Sequence, residues 1–123
     1  MVYTSGTLSL AVLEYLARVD SDILPDTLVS VQATIPDGFV VDTILPSQLP
    51  DDWQDTIIPP PLQELGTSWV RAAKSAVLKV PSVLIETEWN YVLNPIHPDF
   101  SRITWATGTP FSFDPRLFKS RSG

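Results

Sequence analysis

Residues 76–85 read Ala76-Val-Leu-Lys-Val-Pro-Ser-Val-Leu-Ile85, and this AVLKVPSVLI run decides the fold class. It is short, apolar and rich in β-branched residues, the signature of a strand packed in a core. Pro81 has no N–H to give to a ladder, so a bulge or a sheet edge is expected there. Immediately upstream, Leu62, Leu65, Trp69, Ala72 and Ala73 recur at helical spacing behind Pro61, which suits the start of a helix. Further upstream, Thr27 to Ile35 alternates, with Val29, Val31, Ala33 and Ile35 on one side and Ser30, Gln32 and Thr34 on the other, as a half-buried strand does. Pro36-Asp37-Gly38 makes a turn, and Phe39 to Leu45 is long enough for a second short strand.

The chain opens with Val2-Tyr3, read as the end of a strand, and Ser5-Gly6-Thr7, which offers a turn and an N-cap. Leu8 to Val19 then reads as a helix, with Leu10, Leu13 and Ala17 beside Val12, Leu16 and Val19 as its broad apolar face, stopping in Asp20-Ser21-Asp22 ahead of Pro25. Residues 46–61 hold five of the twelve prolines together with Asp51, Asp52 and Asp55; they form a connecting loop that Trp53 tacks onto the body. On the other side of the central run, Thr87 to Phe100 is aromatic, turn-rich and irregular. Arg102 to Trp105 and Phe111 to Phe113 are expected to close on each other as a strand pair, and the tail after Phe118 is expected to fray. Strands that do not alternate regularly with helices disfavour a doubly wound sheet and point to an α+β domain.

Composition bounds the function. The 123 residues fit one domain, and 44% hydrophobic content is enough for a core. There is no cysteine, which removes disulfides, thiol nucleophiles and Cys-ligated metal centres, and the single histidine, His97, cannot make an all-histidine zinc site; no metal is expected. No apolar run reaches the ~20 residues of a membrane helix, and no basic segment precedes the first apolar stretch as in a signal peptide. A soluble cytoplasmic protein, without membrane contact, is the default. Residues 1–70 carry ten acids against Arg18 alone, whereas residues 71–123 carry seven basic residues against four acids. With a pI near 4.4, direct nucleic-acid binding is not expected, since that depends on neutralising phosphates.

Few residues carry chemistry on pattern alone. None of the glycines at 6, 38, 66, 108 and 123 builds a phosphate loop. His97 lies between Pro95-Ile96 and Pro98 and reads as a turn histidine, not a triad base. Glu86 and Glu88 share a face if the strand continues, as a solvated pair. Glu14, inside the first helix, reads as a surface glutamate paired with Arg18 at i,i+4, and Ser82 as a serine bonding nearby backbone at a bulge.

A family resemblance changes these readings. The run VPSVLIETEWNYVLNPIHPDF (80–100) and FSFDPRLF (111–118) resemble the C-terminal half of RES domains, toxins of bacterial toxin–antitoxin pairs whose partners are Xre-type antitoxins. The opening VYTSGTLSLAVLEYLARVD resembles the family's tyrosine strand and glutamate-bearing helix, and WVRAAKSAVLKVPS the approach to its serine. The family is named for an arginine, a glutamate and a serine. On this resemblance Glu14 falls on the glutamate and Ser82 on the serine, as catalytic residues. Tyr3 falls on the tyrosine, and Asn90 and Asn94 stand in the E-x-N-x-x-x-N-P stretch, as cofactor-binding residues. The arginine has no counterpart, because in the family it lies upstream of the tyrosine, so the chain reads as a RES domain lacking its N-terminal part; Arg71 or Lys74 is a substitute only if folding brings it near.

The resemblance implies an ADP-ribosyltransferase-like mixed sheet with flanking helices, and NAD+ as a substrate cleaved at the nicotinamide–ribose bond. It also implies an Xre-type antitoxin partner. The alternative is an inactive remnant that keeps antitoxin binding. Loss of an N-terminal strand is expected to expose a sheet edge and so to favour a homo-oligomer.

Overall fold

The computed structural model describes residues 1–18, 27–54 and 60–118. The expected helix stop at 20–22, Val19, the side chains of Leu62 and Leu65, and the tail beyond Phe118 lie outside them.

A four-stranded mixed sheet carries the molecule. Its strands are β1 (Val2–Ser5), β4 (Val41–Thr43), β5 (Val77–Pro81) and β6 (Trp89–Leu93), in the order β1-β6-β5-β4. β6 pairs antiparallel with both β1 and β5, and β4 runs parallel to β5. A parallel neighbour requires a crossover, which helix α2 (Pro60–Ala72) supplies between β4 and β5. Helix α1 (Leu8–Arg18) follows β1 directly. Two further ladders, β2 (Leu28–Ser30) with β8 (Thr109–Phe111) and β3 (Ala33–Thr34) with β7 (Thr104–Trp105), are each antiparallel and two-stranded.

Strand periodicity divides the sheet's side chains between two cores. Val77 and Leu93, directly opposite in register and wholly buried, pack with Ala76 and Ile103 and meet Val2, Ala33, Ile35, Phe39, Tyr91 and Phe100. The alternate positions Leu78 and Val92 face Trp69 and Val70 of α2. The helices therefore lie on one face and the small ladders on the other, an α+β arrangement.

Several sequence expectations need correction. The stretch 76–85 is a strand only to Pro81; Val83 and Leu84 leave it and are exposed. Pro81 is accommodated because Ser82 N–H points at β6, donating to the Glu88 carbonyl, so the Pro81 nitrogen points the other way. On that side β4 has ended: its ladder stops at Thr43, and Ile44 N–H closes on the Lys79 carbonyl. The stretch 87–100 is not wholly irregular but contains β6, an inner strand. Residues 102–105 and 111–113 do not pair with each other; they pair back onto 28–34, which is split at Val31-Gln32 and leaves Val29 and Val31 exposed. Glu86 and Glu88 lie in bends and turns, not in a strand. Trp53 is buried as expected, and Gln54 next to it donates to the Val83 carbonyl at 3.3 Å, tying the proline-rich loop to the bend after Ser82.

Candidate active site

Glu14 is held by the sheet and not by its own helix. Thr7 caps α1, its hydroxyl accepting from Leu10 N–H at 3.1 Å, and starts the helix in a phase that aligns Leu10, Glu14 and Arg18 along one stripe at i, i+4 and i+8. Leu10 is buried, whereas Leu13 and Ala17, expected on the apolar face, are exposed. The i,i+4 pair with Arg18 does not form. Glu14 Oε1 instead accepts from Ser82 Oγ at 2.7 Å and from Asn90 Nδ2 at 2.8 Å. The Arg18 guanidinium stands 5.6 Å above the Tyr3 ring.

The serine reading from pattern was half of the picture. Ser82 is fully buried, and its oxygen accepts from the N–H groups of Leu84 and Ile85, each at 3.1 Å. With both lone pairs engaged, its one proton goes to Glu14. The local backbone thus aims the hydroxyl at the carboxylate. Asn90 is equally committed: its Oδ1 accepts from Ser5 Oγ at 2.7 Å while its amide donates to Glu14. Charge-assisted hydrogen bonds of this kind are about twice as strong as neutral ones. Glu14 Oε2 accepts none among the described residues. Every fully buried side-chain oxygen or nitrogen described has a partner, so Oε2 is not fully buried.

Tyr3 and Ser5 alternate with Val2 and Thr4, and in register they meet Val92 and Asn90. Tyr3 thus lies on the same sheet face as Asn90, one turn of α1 from Glu14 by way of Arg18, with 59% of its surface exposed.

Asn94 is not brought to this cluster. It is buried just past the end of β6, roughly 13 Å along the strand from Asn90, where its amide donates to the Val70 carbonyl at 3.2 Å and its Oδ1 accepts from Ile96 N–H at 3.2 Å. It joins α2 to the turn after β6, away from the Glu14 cluster. Arg71, adjoining Val70, and Lys74 sit at that same far end, so neither stands in for the family arginine. His97 caps a 3-10 turn, accepting from Asp99 N–H at 3.0 Å, and is no partner of Ser82. No group of three or more metal-binding side chains gathers among the described residues. Pattern missed Ser5, whose signal was redundancy: with Thr7 already a cap, a second hydroxyl two residues earlier was spare.

The sequence profile of the RES domain matches residues 1–114. The chain belongs to the RES domain family. Its relatives agree. A "Toxin Res" of Yersinia enterocolitica is 32% identical over 117 residues, covering 94% of this chain and 76% of that protein. Another "Toxin Res", from Photorhabdus laumondii, is 33% identical over 121 residues, covering 98% and 77%. A "Prs ADP-ribosylating toxin" of a Sphingobium species is 29% identical over 121 residues, covering 97% and 75%. The mixed sheet with two helices on one face is the RES domain's ADP-ribosyltransferase-like architecture. As a RES domain, the chain stands with relatives named as toxins, one of them as an ADP-ribosylating toxin.

Proposed function

We propose that this RES domain consumes NAD+ by breaking the bond between nicotinamide and the ribose C1′, with Glu14 as the catalytic carboxylate. The observation that carries the reading is the double grip on Glu14 Oε1 by Ser82 and Asn90, with Oε2 accepting from none of the described residues.

As the bond breaks, its electron pair leaves with nicotinamide as a neutral molecule, and positive charge develops on the ribose ring, as in glycoside cleavage. A fixed negative charge beside that ring stabilises the developing cation, and because Ser82 and Asn90 already orient it, little reorganisation is needed during the reaction. Oε2 is free to accept from a ribose hydroxyl. The acceptor that adds to C1′ gives up a proton and takes the ADP-ribose; it is water, phosphate or a protein side chain. Ser82 acts as a positioning residue, since its hydrogen-bonding capacity is spent on Glu14 and on the backbone. Tyr3 offers an exposed ring on the same sheet face for stacking on nicotinamide or ribose.

The partner in this reading is an Xre-type antitoxin, and the compartment is the cytoplasm. No helix among the described residues is long and apolar enough to cross a membrane. Self-association belongs to the same reading: β1 is an outer strand of the sheet, and an unpaired strand edge templates further pairing.

Incubating the purified chain with NAD+ and separating the products by chromatography tests the proposal. Nicotinamide together with ADP-ribose, its phosphorylated form or a labelled protein supports it and names the acceptor. NAD+ recovered intact, from a chain that still binds its antitoxin, favours the inactive remnant.

A further inference from the structure

We propose that Ser5 is a positioning residue for the Glu14 carboxylate, acting through the Asn90 side chain; this deepens the NAD+-cleaving reading and rests on it. Three hydrogen bonds make one relay: Ser5 Oγ to Asn90 Oδ1 at 2.7 Å, Asn90 Nδ2 to Glu14 Oε1 at 2.8 Å, and Ser82 Oγ to the same Oε1 at 2.7 Å.

The direction of the relay follows from its end. An ionised carboxylate only accepts, so Asn90 must present its NH2 to Glu14 and its carbonyl to Ser5, and the Ser5 hydroxyl must donate. The final torsion of an asparagine is broad and soft. One hydrogen bond to Glu14 leaves the amide plane free to swing, and a second bond on the opposite side of the amide fixes it. Donation into Oδ1 also polarises the amide and makes its N–H a better donor to Glu14.

Ser5 itself is held rigidly. Thr4 Oγ1 donates to the Tyr91 carbonyl at 2.8 Å on one side of it, and Gly6 N–H donates to the Trp89 carbonyl at 3.1 Å on the other. Position 6 favours glycine, because a Cβ there would stand 3.3 Å from the Trp89 oxygen and 3.4 Å from the Tyr91 ring. The Ser5 hydroxyl is not needed by the helix, since Thr7 makes the cap. The strand end, the close glycine and the separate cap leave Ser5 one task, holding Asn90.

The test compares the full chain with Ser5→Ala, Ser5→Thr, Asn90→Ala and the double variant Ser5→Ala with Asn90→Ala. Two readouts are needed: nicotinamide release, and hydrogen exchange of the Asn90 side-chain amide followed by NMR. Ser5→Ala is expected to lower kcat by about tenfold with KM changed less than about twofold, and Ser5→Thr to restore most of it. In the Asn90→Ala background the same Ser5→Ala change is expected to do nothing further, because the two residues act in series. Asn90 amide exchange in Ser5→Ala is expected to speed up about fivefold or more, the loosening that a broken fixing bond produces. Equal kcat losses in both backgrounds, or unchanged exchange in Ser5→Ala, would overturn the proposal. If the unaltered chain releases no nicotinamide, the NAD+ reading fails by itself. The exchange experiment then decides the role of Ser5 alone.

Discussion

At the scale of single residues, the decisive fact is which way one glutamate turns. Helical pattern pairs Glu14 with Arg18, a contact worth a few tenths of a kcal/mol on an exposed helix. The fold gives it two stronger, charge-assisted partners, 68 and 76 residues away in sequence, and a local pattern cannot register partners that distant. The family resemblance singled out Glu14 and Ser82, but the hydrogen bonds that join them are visible only in the fold. Ser82→Ala removes the donor to Glu14 and the acceptor for two N–H groups. Because Leu84 is exposed, water can serve part of that loss, so a cost of about 1–2 kcal/mol is expected from the denaturant midpoint. The expected loss of nicotinamide release is larger, about a hundredfold, since a carboxylate misplaced by ~1 Å forfeits that much. A variant that lost stability but kept its rate would show that Ser82 only props the bend.

Among elements, β5 was legible because its apolar run is unbroken and β-branched, while β6 was not. In Trp89–Leu93 the residues Trp89, Tyr91 and Leu93 take one face and Asn90 and Val92 the other, and an inner strand covered on both faces shows no polar alternation. The turns that flank it, with Pro95 and Pro98 close behind, then read as irregular chain. The terminal strands were mispaired for another reason. Neighbours in sequence pair in about two cases of three, yet here residues 104–111 reach back to 28–34. Helix α2 ends on a local strain that pattern cannot see: Ala73 follows it with φ 48°, a left-handed conformation. Glycine meets no penalty there, so Ala73→Gly is expected to raise stability by about 0.5–1 kcal/mol. Thermal melting checks this, and a lower midpoint would contradict it.

For the whole molecule, the same alternation that builds two cores also builds the site. Val77 and Leu93 send their side chains into the core beneath the small ladders, while Asn90 and Tyr3 share the helix-covered face, over which α1 carries Glu14. Buried polar contacts hold α2 in place: Trp69 Nε1 of α2 donates to Ser75 Oγ at 2.9 Å, and Ser75 donates to Asp42 of β4 at 2.6 Å. β1 forms the edge of the sheet opposite β4. Sedimentation is expected to find a particle about twice the 13.6 kDa of one chain, and a strictly monomeric boundary at high concentration would remove β1 as an association edge. Whatever the assembly, the enzymatic account depends on the charge of a single side chain. Glu14→Gln preserves the shape and still offers an oxygen to Ser82 and Asn90, but carries no charge. Its rate of nicotinamide release from NAD+, measured beside the unaltered chain at matched thermal stability, is therefore the most direct measurement. The expected result is a fall of about 10²–10³-fold. A Glu14→Gln rate equal to that of the unaltered chain would contradict the account.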